Sequence, residues 1–240
     1  MHYIPILSTL VTLIFAVAVF NRYFQRGGLH LLFWGIGLIF YGLGTLTEVV
    51  MLFTFNPWAL KLWYLTGAML TAAWLGQGTV NLLVRKRGVA RALNITLVIA
   101  STLAFLLVML APVDAGLAAA YNTNQPASAQ YGEILSRSGL IIFLTIFLNL
   151  YGTLTLVGGA IYSAFLFWRK KVLINRLIGN ILIAAGALMP ALGGSLLKAG
   201  MADWLYLSEF LGAVLMYLGF VQATVPQPAI NQVVESPATD

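Results

Sequence analysis

Seven apolar runs, each long enough or nearly long enough to cross a bilayer, constrain the fold more than any other feature of this sequence. A bilayer core about 30 Å thick needs roughly 20 apolar residues per helix. The runs are Ile4–Phe20, Leu29–Phe53, Trp63–Leu83, Leu93–Ala111, Leu140–Phe167, Leu177–Leu197 and Leu205–Val221. Apolar residues do not alternate with polar ones as they would in a membrane barrel. The pattern predicts an all-α polytopic membrane protein with a seven-transmembrane-helix bundle.

The scarcity of charged residues supports a membrane environment. Only 13 Lys or Arg and 7 Asp or Glu occur in 240 residues, or 8%, whereas globular chains carry about 25%. This composition excludes soluble enzymes and nucleic-acid-binding modules. The net charge of +6 lies in short loops, not on a basic face that could bind nucleic acid. We expect these charges to contact anionic membrane lipids.

The positions of Lys and Arg predict the orientation of the bundle, because cytoplasmic loops are enriched in both. Ten of them follow runs one, three and five: Arg22, Arg26, Arg85, Lys86, Arg87, Arg91, Arg169, Lys170, Lys171 and Arg176. Three lie on the opposite side: Lys61, Arg137 and Lys198. The bias predicts an N-terminus outside and a C-terminus in the cytoplasm.

Three segments outside the main runs need separate interpretation. Residues 1–3 lack the Lys or Arg of a secretory signal, so we expect a retained first helix; a cleaved signal peptide is the alternative. The longest connection, residues 112–139, is predicted outside as a flexible lid or a tether. Residues 1–225 form the helical domain, and the proline-containing tail 226–240 is predicted to be disordered in the cytoplasm.

A comparison of the chain with itself indicates an internal repeat. A shift of 144 residues superposes Thr9-Leu10 on Thr153-Leu154, Gly35 on Gly179 and Gly42 on Gly186. After a two-residue difference, Tyr64-Leu65-Thr66 matches Tyr206-Leu207-Ser208. The interpretation is a parallel 3+1+3 arrangement whose cleft would bind a ligand or substrate. Chance similarity between apolar segments is the alternative.

Two carboxylates lie inside the apolar runs. Glu48 and Glu209 are each about one helical turn from the predicted outer boundary. Intramembrane acids are costly and often functional, so the two predict a shared outer cavity for a cation, a proton or an amine. Lys198 is the candidate counter-ion and Lys61 a second one. Alternatively, both acids reach the interface and are hydrated or salt-bridged there.

A second polar set lies in the inner half of the predicted bundle. Gln77 and Asn81 are four residues apart and share a helix face. Asn94 and Asn180 are expected at similar depth. Such amides commonly cross-link membrane helices at about 0.6 kcal/mol each. We expect a structural role, with a substrate path as the alternative.

Several functional classes lack the residues they need. The chain has no Cys and two His, which leaves no metal cluster and no plausible Ser-His-Asp triad. Run seven has no lysine for a retinal Schiff base, and no Gly-rich phosphate loop occurs. We therefore expect a non-enzymatic protein without a metal or cofactor.

Part of the chain is similar to a known family. The residues concerned are Trp34, Gly42 and Glu48, then Trp63-Tyr64-Leu65-x-Gly67, then the basic exit Arg85-Lys86-Arg87. In these residues the stretch 33–87 resembles the seven-transmembrane sensor region at the N-terminus of bacterial histidine kinases, here without the kinase and without that family's early proline in helix three. The resemblance implies a signal-receiving bundle in a bacterial inner membrane. The 3+1+3 layout is also similar to SWEET and PQ-loop transporters, although their Pro-Gln pair is missing from runs one and five.

These features predict a membrane sensor or accessory protein. It would bind a small or lipid ligand near Glu48, Glu209 and Lys198 and signal to a cytoplasmic protein at the basic loops. A small-solute transporter that uses the repeat interface is the second hypothesis. The third is a structural subunit that assembles with other membrane subunits. The sequence does not define the oligomeric state.

Overall fold

The computed structural model describes residues 3–170, 174–201 and 203–225, and these ranges are almost entirely helical. The helices are α1 (Ile4–Arg26), α2 (Leu29–Phe53), α3 (Pro57–Trp63), α4 (Thr71–Leu83), α5 (Arg87–Leu110), α6 (Ala115–Ala119), α7 (Ala127–Ile134), α8 (Gly139–Lys170), α9 (Ile174–Lys198) and α10 (Asp203–Thr224). A π-helical segment, Tyr64–Leu70, joins α3 to α4. No strand occurs in these ranges, only one isolated bridge between Val113 and Leu135. The tail 226–240 lies outside the described residues.

Six of the described helices are long and apolar enough to cross a membrane: α1, α2, α5, α8, α9 and α10. The prediction of an all-helical chain with membrane-spanning helices is confirmed to that extent. The remaining predicted run, Trp63–Leu83, falls in α3, the π segment and α4, which follow one another without a break. Each of these three pieces alone is shorter than a bilayer core.

Most helices are longer than the apolar runs that predicted them. α1 continues six residues beyond Phe20, and α5 begins at Arg87 instead of Leu93. Backbone hydrogen bonding does not stop where the side chains become polar, so a helix can continue through the interfacial region of a bilayer. The bounds of α2 are the predicted ones, because Gly27 and Gly28 have positive φ and interrupt the helix before Leu29.

Six helices pack as a closed ring in the order α1, α2, α4, α8, α9 and α10, with α10 returning to α1. α5 lies outside this ring against α4, α8 and the π segment. α1 and α2 are antiparallel, because Phe20 meets Gly35 and Leu13 meets Gly42. α2 and α4 are also antiparallel, as the contacts of Gly37 with Leu75 and of Trp34 with Gly78 indicate. α4 and α8 run parallel, because Ala72 meets Gly152 and Thr79 meets Gly159.

Reciprocal glycines allow α9 and α10 to approach closely. A Cβ added to Gly179 would lie 2.6 Å from the Gly219 carbonyl oxygen, and one added to Gly219 would lie 2.6 Å from the Gly179 oxygen. Gly186 and Gly212 show the same relation one heptad away, at 2.7 and 2.9 Å. Pro190 has no N–H for the Gly186 carbonyl four residues earlier. Small residues commonly bring membrane helices together in this way.

The two ends of the bundle differ. We call the end that carries α6 and α7 the capped end; there Lys61 Nζ donates to the Met109 carbonyl at 2.8 Å. We call the opposite end, with the α1–α2 and α4–α5 connections, the basic end. At the capped end the backbone amide of Asp114 donates to Ile134 at 2.9 Å, and Leu135 is buried in the main core. Residues 112–139 therefore form a folded cap, not a simple tether.

The glycines of α8 offer a test of this packing. An added Cβ at Gly152 would collide with the backbone of Ala72, whereas one at Gly158 would meet nothing within 4 Å. We expect Gly152→Ala to lower the free energy of unfolding by about 1–3 kcal/mol, as overpacking does, and Gly158→Ala to cause no loss. Unfolding in detergent micelles measures both. Equal effects of the two substitutions would contradict the α4–α8 contact.

Candidate functional site

Glu48 is a buried carboxyl group on α2. Its side chain is only 2% exposed. Oε1 accepts a hydrogen bond of 2.9 Å from the indole nitrogen of Trp63. Oε2 is buried and accepts no hydrogen bond from an N–H or hydroxyl group of the described residues. The group that lies against the Glu48 carboxyl is instead a second acid.

Glu209 on α10 brings a second carboxyl group to the same place. Its carboxyl group lies within hydrogen-bonding reach of the Glu48 carboxyl, so one proton shared between them would join the two acids. The Tyr41 hydroxyl donates to the Glu209 backbone carbonyl at 2.7 Å and so ties α2 to α10. The structure therefore unites the two acids that the sequence singled out, although they are 161 positions apart in the chain.

The two acids line a pocket of about 410 Å³ inside the ring. Its wall comes from α2, α3, the π segment, α4, α8, α9 and α10, and α7 contributes Ser128 and Tyr131 at the capped end. The Ser128 hydroxyl is buried and, like Glu48 Oε2, has no partner among the described residues. Ligand pockets typically occupy about 300–1,000 Å³ and carry a few polar groups in a mainly apolar wall.

Apolar side chains fill the ring between this pocket and the basic end. They belong to one buried cluster: Phe15, Leu38, Leu75, Leu156, Met216 and Phe220. The voids among them amount to a cavity of about 40 Å³. The pocket therefore has an apolar floor, and no polar path through the described ring continues it to the basic end.

The π segment forms the part of the pocket wall next to α2. Gly44 and Gly67 let α2 and this segment approach within contact distance of their backbones. The wide turn frees carbonyl groups, and two side chains satisfy them: Asn149 Nδ2 donates to Ala68 at 2.6 Å, and Thr71 Oγ1 donates to Thr66 at 2.7 Å. π-Helical turns frequently occur at functional sites.

The cap is held over the pocket by aromatic contacts. The Tyr131 ring lies 5.3 Å from Trp63 and 5.4 Å from Tyr64, between ring centroids. The Arg137 guanidinium lies 4.6 Å from the centre of the Tyr131 ring. Burial first, and then the nearby Glu48 carboxyl, raise the pKa of Tyr121 in the cap to about 12. Tyr121 is therefore neutral at physiological pH and adds no charge near the acids.

Of the two predicted counter-ions, the structure describes the contacts of Lys61, and these do not include the acids. Lys61 donates to Met109 and lies over the Trp58 ring at 5.3 Å, so it is not the partner of Glu48. It is at the outer edge of the bundle because α3 begins before the apolar run. Lys198 ends α9, and its side chain lies outside the part of the chain that the structure describes.

The polar inner cluster is present, but with altered membership. Gln77 Nε2 and Asn81 Nδ2 both donate to Asn94 Oδ1, at 2.5 and 2.9 Å. Tyr151 on α8 donates to Gln77 Oε1. Asn180 is not in this cluster, because its amide faces along α9 and donates to the Arg176 carbonyl at 2.7 Å. The cluster attaches α5 to the ring, which agrees with a structural role.

Three groups of the site were not predicted from the sequence to belong to it. Trp63 is among the residues that resemble the sensor family, but nothing predicted that it would be only 7% exposed and would donate to Glu48. Tyr131 and Ser128 lie in a polar stretch that shows no periodicity. One signal could have indicated the hydrogen bond between Trp63 and Glu48, namely the short turn that separates the two residues in the chain.

Metal binding is not indicated by the donor set of the described residues. No group of three His, Cys, Asp or Glu side chains occurs in them. Two carboxyl groups beside aromatic and aliphatic side chains can instead hold a proton or a monovalent cation. Comparison of the chain with protein-family models, curated proteins and solved structures gives no match.

The amide cluster gives a test with a matched control. Gln77 is fully buried, so Gln77→Leu leaves Tyr151 without its acceptor and Asn94 without one donor. We expect a loss of about 1–3 kcal/mol in unfolding free energy. Asn180→Leu removes only a bond within its own helix and should cost less than about 1 kcal/mol. Detergent unfolding measures both, and an equal loss would argue against the cluster.

Proposed function

We propose that this chain is an integral membrane receptor that binds a small ligand in the pocket of Glu48 and Glu209. The observation that carries the proposal is the pair of adjacent carboxyl groups, Glu48 and Glu209, in a pocket of about 410 Å³. Two adjacent acids inside an apolar ring cannot both ionise without a counter-charge, and a bound ligand would supply it. The receptor reports ligand binding to a cytoplasmic protein, in agreement with the resemblance to bacterial sensor regions.

The proposal includes seven membrane crossings in a bacterial inner membrane with the capped end outside. Successive long helices run in alternating directions if residues 57–83 are taken as one crossing. Ten of the 13 Lys and Arg residues then lie on the cytoplasmic side. The N- and C-terminal ends of the bundle lie on opposite sides of the membrane.

Packing contacts support an internal repeat, but they align its second helices, α2 and α9, with a shift of 142 residues instead of 144. Gly35 and Gly42 face α1, whereas Gly179 and Gly186, their partners at a shift of 144, face α10. Gly37 and Gly44 face α4 and the π segment, which makes them the better counterparts at a shift of 142. That shift also relates Tyr64 to Tyr206.

Matched positions of the two proposed repeats line the pocket. A shift of 142 pairs Glu48 with Pro190 and Gly67 with Glu209, and all four residues line the pocket. Each triplet of helices thus contributes one acid, at positions that are not equivalent. A ligand site between the triplets is the arrangement that parallel repeats favour.

The apolar floor favours a receptor over a transporter. Transport needs a second state in which the pocket opens to the basic end, and six large apolar side chains would have to separate for it. The site between repeats keeps a small-solute transporter as the second candidate. A purely structural subunit does not need two acids in a shared pocket, so the pocket argues against the third hypothesis. The described residues give no reason to propose catalysis.

Cysteine labelling tests the receptor without knowledge of its ligand. The chain contains no Cys, so Ala68→Cys introduces a single thiol into the pocket wall. We expect a membrane-impermeant cationic thiol reagent to modify it in intact cells and right-side-out vesicles, because the proposed receptor takes its ligand from the capped end. Inside-out vesicles should show no modification, because the floor closes the other side. Mass spectrometry measures the extent.

Gly88→Cys is the matched control for sidedness. Gly88 lies at the basic end, and an added Cβ there meets nothing within 4 Å. It should react in inside-out vesicles only. Modification of Ala68→Cys from both sides would overturn the receptor in favour of the transporter. Modification from neither side would overturn both.

A further inference from the structure

We infer that the pocket takes a small organic ammonium ion with an apolar body, whose nitrogen lies between Glu48 and Glu209. This inference rests on the proposed function and adds the chemical class of the ligand. Its first support is the hydrogen-bond inventory of the pocket. Glu48 Oε2 accepts no hydrogen bond from an N–H or hydroxyl group of the described residues, and the buried Ser128 hydroxyl, which can also accept, has no partner there. A primary ammonium group carries three donors and no acceptor, which matches that need.

The charge of the pocket favours a cation. Two carboxyl groups line it, and no Lys, Arg or His side chain does so among the described residues. Lys61 and Arg137 have contacts of their own, Lys61 with the Met109 carbonyl and Arg137 with the ring of Tyr131. An anionic ligand would therefore meet like charge or an unpaired acid, at a large cost in a medium of low dielectric constant.

The rest of the wall fits an organic body better than a bare ion. Trp63 and Tyr41 place aromatic rings beside the acids, and such rings attract cations within about 6 Å. Deeper in the pocket the wall consists of Leu75, Leu156 and Met216. A hydrated inorganic ion would leave this apolar end empty, whereas an alkyl chain would fill it and bury its methylene groups against these side chains.

A series of probes with one body and different heads tests the class. Butylammonium, butanol and butanoate would be titrated against the full chain in detergent, with the thermal midpoint as readout. We expect butylammonium to raise the midpoint with an apparent dissociation constant at least about tenfold below those of the other two. Hexylammonium should bind more tightly than butylammonium, because its chain extends toward the floor.

Two acid variants and one control locate the binding. Glu48→Gln and Glu209→Gln should each weaken butylammonium binding by about tenfold or more. Glu133→Gln on α7 changes an acid that is exposed and should leave binding unchanged. If an acid variant fails to fold, a second measurement locates the binding with both acids intact. Bound butylammonium should protect Ala68→Cys from modification by the thiol reagent.

The outcomes separate the ligand class from the proposed function. Equal binding of butanol and butylammonium, or tighter binding of butanoate, would overturn the ammonium class while outward labelling of Ala68→Cys still supports a receptor. Loss of binding in Glu133→Gln as large as in Glu48→Gln would also overturn it, since surface charge would then explain the effect. If the thiol reagent does not modify Ala68→Cys from the outer side, both the proposed receptor and the proposed ligand class are overturned.

Discussion

The buried carboxyl group of Glu48 is the interaction on which the arrangement of this bundle depends. A carboxylate inside an apolar ring is tolerated only when it is hydrogen-bonded, and the indole of Trp63 supplies that bond at 2.9 Å. Trp63 also contacts Tyr131 of the cap. One polar contact therefore joins α2, the start of the third helical run and the cap over the pocket.

Glycines make the space in which this polar contact lies. Gly44 and Gly67 shorten the distance between the backbones of α2 and the π segment. Gly186 and Gly212 do the same for α9 and α10. In a membrane no hydrophobic effect drives helices together, so close backbone approach supplies much of the packing energy. The ring is tight where glycines face each other and open where Glu48 and Glu209 lie.

The fold was predictable because lipid imposes a simple rule on the backbone. Apolar length located the long helices, and Gly27 and Gly28 marked the start of α2. The two acids were predictable as a pair because charge inside apolar runs is rare. The cap was not, since its helices α6 and α7 are short and depend on contacts with Trp63 and Tyr64 that have no periodic signal. The position of Asn180 depended on helix rotation, which composition does not fix.

Under the proposed function, the closed floor requires that a signal travel through the helices and not through the pocket. Glu48 and Glu209 lie on α2 and α10, which are not neighbours in the ring, and both helices pack against α1. Thr9 bonds Thr45 of α2 at 2.9 Å, and Phe15 contacts Phe220 of α10. Under the proposed function, a cation drawn between the two acids would pull α2 and α10 together. Because α1 packs against both helices, it would move when they do. This movement of α1 would extend to the basic end, where a cytoplasmic protein would detect it.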